Sequence, residues 1–259
     1  MPPGRGTQSG ASVDILMYHS ISNAPGPTSI APETFKEQMS LLASSGVQVL
    51  KMDDVLNHLA VGEKRAVAIT FDDGFKDFLD VAWPILRQFD LPAIVYLPTD
   101  HIGKVENWTG ANHPPRPLLS WDDVRRLKSE GVAFGNHTSS HPDLSRLTGD
   151  ALCSEVDRAS SRIEEETGTL PTHFAAPYGS WSPHARRVIS RRHETSVSTR
   201  LGPARRTSDS FQLPRIEMFY YRNTRRWNSR LEGSGELYLR SRQIVRGLRA
   251  KISRKLTEN

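Results

Sequence analysis

The sequence predicts an α/β fold with a parallel sheet, either open or closed into a barrel. Short apolar, β-branched runs alternate with amphipathic segments along most of the chain, as in repeated βα units. The 259 residues suffice for one large domain. With 37% hydrophobic and 24% charged residues, the composition is that of a globular protein, so a packed core is expected.

Seven runs have the length and composition of strands. They lie at 13–18, 46–50, 65–71, 92–98, 132–136, 173–176 and 195–199. The amphipathic segments between them predict helices at 33–45, 53–60, 75–90, 121–130, 149–167 and 183–192. In folds of this kind, functional residues collect on the loops that follow the carboxyl ends of the strands.

Several classes of protein are excluded by what the sequence lacks. Its single cysteine, Cys153, excludes an internal disulfide and any zinc site built on several cysteines. No run of about 18 apolar residues is present, so no segment is expected to span a bilayer. The opening residues, MPPGRGTQSGASVD, contain no apolar signal-peptide core. We therefore expect a cytoplasmic protein.

The positive charge is concentrated at the carboxyl end. Residues 237–259 carry seven Lys or Arg and one Glu, or +6, so the rest of the chain sums to −1 of the net +5. Apolar residues recur in this segment at helical spacing, at Leu237, Ile244, Leu248, Ile252 and Leu256. A basic amphipathic helix binds an anionic membrane surface, binds an acidic partner, or packs on the body with its charges solvated.

We expect three segments: a flexible amino terminus (1–12), a domain (13–222) and a basic amphipathic helical tail (223–259). Peripheral membrane contact is one expectation for the tail, through residues 237–256. A nucleic-acid partner is not expected, because the body is neutral and contains no recognisable nucleic-acid-binding motif.

Asp-Asp occurs three times, and one pair differs from the other two. In KMDDVLNHL and LSWDDVRRL the pair opens a helix, where Asp53, or Ser120 with Asp123, is expected to cap the first turn. In AVAITFDDGF, Asp72 and Asp73 instead end a buried strand. Two charges at that position call for a counter-charge or a metal ion. On an extended segment the two side chains diverge, which suits two separate roles.

Other polar residues follow predicted strands at the same edge of the sheet. His19 follows the first strand, and His137 and His141 follow the strand at 132–136. The spacing of the two later histidines predicts that both imidazoles lie on one side of a single helical turn. Such pairs are common by chance. With a strand-end carboxylate, however, they supply the ligand set of a catalytic zinc site that keeps a fourth position for water.

These segments carry a resemblance to a known family. TFDDG, HTSSH and FAAPYG resemble the first three motifs of the polysaccharide deacetylases, also called carbohydrate esterase family 4 or the NodB-homology group. The resemblance covers nearly all of the predicted domain, and LMYHSI further resembles the branch that includes the poly-N-acetylglucosamine deacetylases. It implies a distorted, TIM-like (β/α)7 barrel in a single domain. It also implies a metal-dependent hydrolase that removes N-acetyl groups from an N-acetylglucosamine-containing poly- or oligosaccharide.

The resemblance also implies roles for individual residues. Asp72 matches the general base, and Asp73, His137 and His141 match the ligands of a divalent metal, expected to be Zn²⁺. The proton taken by the base comes from the water that attacks the acetamide.

Two further residues match positions that act on the reacting amide. Tyr178 matches the residue whose backbone N–H helps to bind the oxyanion. His19, in the YH motif, matches the general acid of the branch with rearranged motifs. An acid is needed because an amide nitrogen leaves poorly unless it is protonated.

The sequence departs from the family pattern at two places. The third motif normally has Arg after Phe, to orient the catalytic aspartate, and Ala175 stands there instead. We hypothesise that Arg215, in FQLPRIEM, supplies this cation beside Asp72; the alternative is a surface arginine on a late strand. The late Leu-x-His motif that carries the acid is also missing, which is explained if His19 is the acid.

Aromatic residues near the motifs are candidates for contacts with a sugar. Trp108 lies in the long, Pro-rich loop after the strand at 92–98, where it either lines a sugar cleft or pins the loop to the body. Trp181, just after the third motif, allows the same two interpretations. With Pro177 and Tyr178, these residues form the expected substrate-binding set.

Two other functions are compatible with the sequence. One is a deacylase or amidohydrolase that acts on a small N-acyl or cyclic amide, since the same scaffold can host it by a change of loops. The other is a non-catalytic glycan-binding relative. The intact set of Asp72, Asp73, His137 and His141 argues against the second, because binding alone needs no base beside a metal.

Overall fold

The computed structural model describes residues 10–112 and 114–257, and for residues 248–257 it describes the backbone alone. The strands are β1 (Ser12–Tyr18), β2 (Gln48–Leu50), β3 (Arg65–Phe71), β4 (Ile94–Leu97), β5 (Ala133–Asn136), β6 (His173–Ala175), β7 (Thr195–Leu201), β8 (Ala204–Arg205) and β9 (Leu213–Glu217). Most of the predicted amino-terminal segment, residues 1–9, lies outside the described residues, and β1 begins at Ser12.

Seven of these strands close into a parallel barrel. The order around it is β3, β4, β5, β6, β7, β9 and β1, and β1 pairs with β3 along its whole length to complete the ring. This confirms the predicted distorted (β/α)7 barrel. In a closed barrel of parallel strands, all the strands have their carboxyl ends at one rim. The residues that follow the strands therefore lie around one opening.

The seventh barrel strand is not the one that the sequence indicated. The predicted strand at 46–50 is β2, which pairs with the first half of β3 and is not one of the seven strands of the ring. The ring is closed instead by β9, which was missing from the predicted strands and pairs with β7 and β1. Pro214, Arg215 and Glu217 make this five-residue run look like a polar loop, although its first four residues are buried.

Helices cover the outside of the barrel. They are α1 (Pro32–Ser44), α2 (Val55–Val61), α3 (Trp83–Gln88), α4 (Trp121–Ser129), α5 (Gly149–Thr167), α6 (Pro183–Ser190), α7 (Thr224–Leu231) and α8 (Glu236–Thr257). The helix predicted at 75–90 is interrupted, because Phe78–Ala82 forms a π-helical turn before α3. Pro84 lacks the N–H that a continuous α-helix needs there.

Alternate residues of the barrel strands pack on opposite sides. Val13 and Ile15 of β1 join the interior cluster with Ala66 and Ala68 of β3. The intervening apolar residues, such as Leu16, pack outward against the helices. Small side chains in the interior leave room for a polar layer near the rim, where Thr70 and Arg215 meet.

The predicted tail contains two helices with different packing. Trp227 of α7 is fully buried and its indole N–H donates to the carbonyl of Gln38 in α1 at 3.0 Å. The predicted boundary at residue 222 therefore falls ahead of a helix that belongs to the core. α8 contacts the barrel through Leu239, which is 1% exposed, and the Leu201 N–H donates to Gln243 at 2.9 Å.

The apolar residues of the tail have unequal positions. Leu237 and Ile244 are exposed on α8, at 80% and 64%, so the packing of α8 on the barrel does not use them. The side chains of Leu248, Ile252 and Leu256 lie outside the described part of the chain. Within that described part, no helix combines the length and apolarity that crossing a bilayer requires.

Candidate active site

The aspartate pair at the end of β3 changes the direction of the chain. The Asp72 N–H still donates to the Tyr18 carbonyl at 2.9 Å, extending the β1–β3 ladder. Asp73 then has φ of 73° and Gly74 has φ of 67°. The expectation of an extended Asp-Asp segment is therefore wrong. The two carboxylates part because Asp73 adopts the left-handed conformation, which aspartate tolerates better than most residues.

The other two aspartate pairs are helix-terminal features. Ser120 and Asp123 form the predicted capping box, with reciprocal side-chain-to-backbone bonds of 2.8 and 3.1 Å. The predicted cap at Asp53 is wrong. Asp53 lies inside a 3-10 turn without a capping bond, and its carboxylate contacts Nε2 of His173 at 2.8 Å.

The two histidines after β5 are brought together by a loop rather than by a helix. Residues 137–141 are not helical, and Thr138 and His141 have φ of 69° and 58°. The carboxylate of Glu155, on α5, accepts the backbone N–H groups of Ser139 and Ser140 and holds the loop. The predicted helical turn is therefore wrong. The imidazole centroids nevertheless lie 5.0 Å apart.

Asp73, His137 and His141 form a compact buried cluster. Nε2 of His137 lies 3.2 Å from Oδ1 of Asp73, and Nε2 of His141 lies 3.3 Å from the same oxygen. One possible ligand atom from each of the three residues lies within 4.8 Å of the other two. Nδ1 of His137 donates to the carbonyl of Ala175 at 2.7 Å, which leaves Nε2 to face the cluster. Two imidazoles and one carboxylate with converging donor atoms fit a divalent cation such as zinc.

Asp72 is held by a buried arginine. Nη1 and Nη2 of Arg215 donate to its two carboxylate oxygens, each at 2.7 Å. Arg215 is in turn oriented by the Ser198 carbonyl at 3.0 Å and the Thr70 hydroxyl at 3.1 Å. Burial alone would raise the pKa of Asp72, but the charge and hydrogen bonds of Arg215 hold that pKa below its ordinary value. The carboxylate is therefore ionised.

His19 faces the same carboxylate from the end of β1. Its Nε2 lies 3.9 Å from Oδ2 of Asp72, and its side chain is 15% exposed. Both residues line a cavity of about 280 Å³, which we call the rim cavity. Its other lining residues include Asp73, Trp108, His137, His141, Tyr178, Gly179, Thr199, Glu217 and Arg246.

Tyr178 lies in a strained turn beside the histidines. Pro177–Gly179 is a 3-10 turn in which Tyr178 has φ of 59°. Its ring is 46% exposed and meets His141 edge-on at 4.8 Å. The first N–H groups of a helical turn have no acceptor within that turn, so the Tyr178 amide can bind an external oxygen. A Cβ on Gly179 would come within 2.2 Å of Thr199, so a larger residue cannot replace that glycine without rearrangement.

Comparison with known proteins assigns this site to a family. A sequence model of the polysaccharide deacetylases matches residues 60–194, just over half of the chain. The chain belongs to the polysaccharide deacetylase family. The matched range contains the cluster of Asp73, His137 and His141, together with Asp72 and Tyr178. It contains neither His19 nor Arg215.

The chain is similar to a relative that it matches over about half of each length. It is 35% identical to a chitooligosaccharide deacetylase of Bradyrhizobium sp. (strain ANU 289) over 129 residues, which cover 49% of this chain and 52% of that protein. The chain thus spans about half the length of that relative.

Solved structures of the family extend over most of the chain. The Streptococcus pyogenes deacetylase PplD, in complex with acetate, is 26% identical with a TM-score of 0.69, and the match covers 80% of this chain and 92% of that one. IcaB from Ammonifex degensii is 19% identical with a TM-score of 0.67, covering 84% and 97%, and shares the barrel fold.

The residues predicted to contact a sugar do not all lie at the rim cavity. Trp108 stacks on His141, with ring centroids 4.4 Å apart, and lines the rim cavity. It also packs against His101 and Phe75, which pins the loop to the body as one of the two interpretations predicted. Its contact with a sugar stays a prediction. Trp181 instead packs against a small core cluster around α5 and α6 and is not among the residues that line the cavity. Pro177 is likewise buried within its turn.

Sequence reasoning missed two charged residues at the site. Glu217 ends β9 and lines the rim cavity, and the rule of strand ends would have found it if β9 had been predicted. Arg246 reaches the cavity from α8. No local pattern distinguishes it from the other basic residues of that helix.

Proposed function

We propose that this chain is a metal-dependent hydrolase that removes N-acetyl groups from an N-acetylglucosamine-containing oligo- or polysaccharide and releases acetate. The observation that carries the proposal is an ionised Asp72 beside the buried cluster of Asp73, His137 and His141, in one cavity with His19. Membership of the family and the similarity to a chitooligosaccharide deacetylase support the same chemistry and substrate class.

Zinc is the proposed ion, held by Asp73, His137 and His141. It supplies a Lewis acid, which polarises the acetamide carbonyl and lowers the pKa of water. The buried histidines are positioned for this by the chain itself. The carbonyl of Ala175 fixes the tautomer of His137, and Trp108 covers the outer side of His141.

Asp72 is the proposed general base. Arg215 keeps its carboxylate ionised and fixes both oxygens, so that the base is oriented before substrate arrives. In this role Arg215 is a positioning residue, and it replaces the arginine that the family has at the position of Ala175. The proton that Asp72 accepts comes from the water that attacks the acetamide carbon.

The remaining steps use Tyr178 and His19. The backbone N–H of Tyr178 donates to the carbonyl oxygen as it gains negative charge. His19 protonates the amide nitrogen, so that the C–N bond breaks to give acetate and a free amine. Tyr178 and Trp108 line the cavity, and these two side chains are proposed to contact the sugar.

The proposed deacetylase domain runs from residue 13 to residue 231. It includes α7, because Trp227 and Arg230 are buried in the body. The tail is then α8 with the residues that follow it.

The test is acetate release by purified, zinc-loaded protein. The panel contains neutral and charged N-acetylated glycans and small N-acyl amides, each with and without a chelator. We expect release from glycans that chelation abolishes and zinc restores. Release from the small amides alone would favour the amidohydrolase, and no release despite bound metal would contradict the proposal.

A matched pair of aspartate variants checks the metal site. Asp73→Ala is expected to lose both zinc, measured by elemental analysis, and acetate release. Asp122→Asn is the control, because this aspartate belongs to a helix-opening pair and its side chain is 90% exposed. Equal zinc content in the two proteins would contradict the assigned ligand set.

A further inference from the structure

A second cavity adjoins the rim cavity and is lined by four arginines. It measures about 600 Å³ and lies between the end of β9, α7 and α8. We call it the arginine groove, after Arg222, Arg226, Arg242 and Arg246. Three aromatic rings, those of Phe219, Tyr220 and Tyr238, complete most of its wall.

The arginine groove is continuous with the rim cavity. Pro27, Glu217 and Arg246 line both. A chain-like ligand with one unit in the rim cavity can therefore place a neighbouring unit in the groove. Because Arg246 belongs to α8, the basic tail contributes directly to the wall between the two cavities.

The four arginines of the groove form no ion pair with the side chains that the structure describes. Among the described side chains, no carboxylate lies within ion-pairing distance of these four guanidinium groups, although other arginines of the same helices, such as Arg230 and Arg240, are paired. Glu217 is the one carboxylate in the described lining. Burial raises the pKa of Glu217, which weakens its capacity to balance four cations.

Of the four guanidinium groups, that of Arg246 has a buried nitrogen without a partner in the described part of the chain. Its Nη1 is buried from solvent and has no hydrogen-bond partner among the described residues. A buried donor without an acceptor is costly, so an acceptor supplied by a ligand would be favourable. This nitrogen lies at the junction of the two cavities, where the acceptor would come from a bound chain.

The aromatic rings hold the other guanidinium groups in place. Arg222 lies over Phe219 with 3.9 Å to the ring centroid, and Arg226 lies over Tyr238 at 4.5 Å. Arg242 lies 5.1 Å from the centroid of Tyr238 and 5.5 Å from that of Tyr220. Stacking on a ring leaves the N–H groups at the edge of a guanidinium available, and that edge matches a carboxylate or phosphate. Arg226 uses part of its edge within the chain, because its Nη1 donates to the Tyr220 carbonyl at 3.3 Å and to the Tyr238 hydroxyl at 3.2 Å.

We propose that the arginine groove is a subsite for an anionic unit of the glycan, a sugar that carries a carboxylate or a phosphate next to the N-acetylated unit in the rim cavity. This inference rests on the proposed deacetylase function and names the substrate class more closely. Guanidinium groups bind both anions through paired charge-assisted hydrogen bonds. The continuity of the two cavities favours a glycan over a membrane surface. A glycan chain can occupy both cavities at once, whereas a lipid headgroup in the groove would leave the rim cavity empty.

The experiment compares ligands of equal length. Binding is measured by calorimetry for a neutral tetramer of N-acetylglucosamine, a tetramer that alternates N-acetylglucosamine with glucuronic acid, and an N-acetylglucosamine oligomer that carries a phosphate. The zinc-loaded protein is expected to bind at least one anionic ligand on the order of 10-fold more tightly than the neutral one. The preference should diminish in high salt. The tighter anionic ligand identifies the carboxylate or the phosphate as the group recognised.

Three arginine variants connect the preference to the groove. Arg246→Gln and Arg242→Gln are each expected to remove most of the anionic preference. For Arg242→Gln, whose side chain lines the groove and not the rim cavity, affinity for the neutral tetramer is expected to change less than about 2-fold. Arg240→Gln is the matched control, because it removes one charge from the same helix at a side chain that is 75% exposed and lies outside the described lining. Thermal unfolding of each variant checks that the fold is retained. If Arg246→Gln does not fold, Arg242→Gln and Arg246→Lys carry the test.

The outcomes separate this inference from the proposed function. Equal affinity for neutral and anionic tetramers, or an equal loss in Arg240→Gln, overturns the subsite. Loss of binding to phosphatidylserine vesicles in Arg246→Gln, with oligosaccharide binding intact, overturns it in favour of a membrane surface. If anionic binding depends on Arg246 but no acetate is released, the subsite stands and the deacetylase function fails. If acetate is released but the protein shows no preference for anionic ligands, the deacetylase function stands and the subsite fails.

Discussion

Two buried arginine–aspartate pairs occupy the barrel, and only one of them lies at the active site. Arg215 binds Asp72 at the carboxyl end of β3, and Arg230 of α7 binds Asp14 on the outer side of β1. All four side chains are at most 5% exposed. Each aspartate also has a second basic group at 3.9 Å, His19 for Asp72 and Arg65 for Asp14.

The two pairs differ in what surrounds the carboxylate. Asp72 borders the rim cavity and its neighbour His19 is partly accessible, so the carboxylate can exchange a proton with a bound molecule. Asp14 is enclosed between β1 and α7, where its charge holds the helix to the barrel. Similar ion-pair chemistry therefore holds the proposed general base in one place and makes a structural connection in the other. The position along the strand decides between them.

The largest expected difference follows from removing the two carboxylate charges. Asp72→Asn should lower the rate of acetate release about 1,000-fold, because the general base is lost, while bound zinc is unchanged. Asp14→Asn should leave the rate of the folded enzyme near normal but lower the free energy of unfolding by roughly 3 kcal/mol, since Arg230 is left buried without its counter-charge. Steady-state kinetics, elemental analysis and denaturant unfolding measure these effects. Substantial turnover in Asp72→Asn would remove Asp72 from the mechanism.

The second prediction concerns the basic group beside the catalytic pair. His19→Ala should slow release from a glycan amide about 100-fold, because the leaving nitrogen is no longer protonated. An acetyl ester with a good leaving group should be affected much less, since its leaving oxygen needs no acid. Zinc content should be unchanged. The same loss with both substrates would mean that His19 acts in some other step.

The third prediction concerns how replacing each of the two arginines changes the pH dependence of activity. Arg215 holds the pKa of Asp72 below its ordinary value, so the base stays ionised as the pH falls. In Arg215→Met, burial acts without the arginine and raises this pKa, so the acidic limb of kcat/KM should move to higher pH. Arg230→Met should lower the free energy of unfolding by roughly 3–5 kcal/mol, because Asp14 is left buried without its counter-charge. It should not move the acidic limb. An unmoved limb in Arg215→Met would show that Arg215 does not set the ionisation of the base.

The smallest effect is expected at Arg65, the second basic group of the structural pair. Its guanidinium donates to the carbonyls of Arg230 and Leu231 at the end of α7. Arg65→Gln should lower the free energy of unfolding by about 1–2 kcal/mol and leave acetate release unchanged. A change in turnover comparable to that of His19→Ala would mean that the two pairs are coupled, contrary to the separation described above.

The sequence alone was sufficient for the fold class and for the set of residues that meet at one rim of the barrel. The alternation of strands and helices predicts the βα units, and the rule of strand ends brings His19, Asp72, Asp73, His137 and His141 to one rim. These predictions succeed because a strand's direction and its last residue are local properties of the chain. The capping box at Ser120 and Asp123 is equally local.

The tertiary structure decided how those residues meet. β9 was missed because a short run with a proline and two charges reads as a loop, and only barrel closure buries it. The contact of Arg215 with Asp72 was hypothesised from the family pattern, which lacks its usual arginine at Ala175, and the structure contains it. It spans 143 positions, so no local pattern specifies it. The left-handed turns at Asp73 and His141 replace the predicted extended and helical segments, because the loops are held by distant groups such as Glu155. Arg246 reaches the cavity only because α8 folds back against the barrel, and that packing depends on surfaces that separate strands create together.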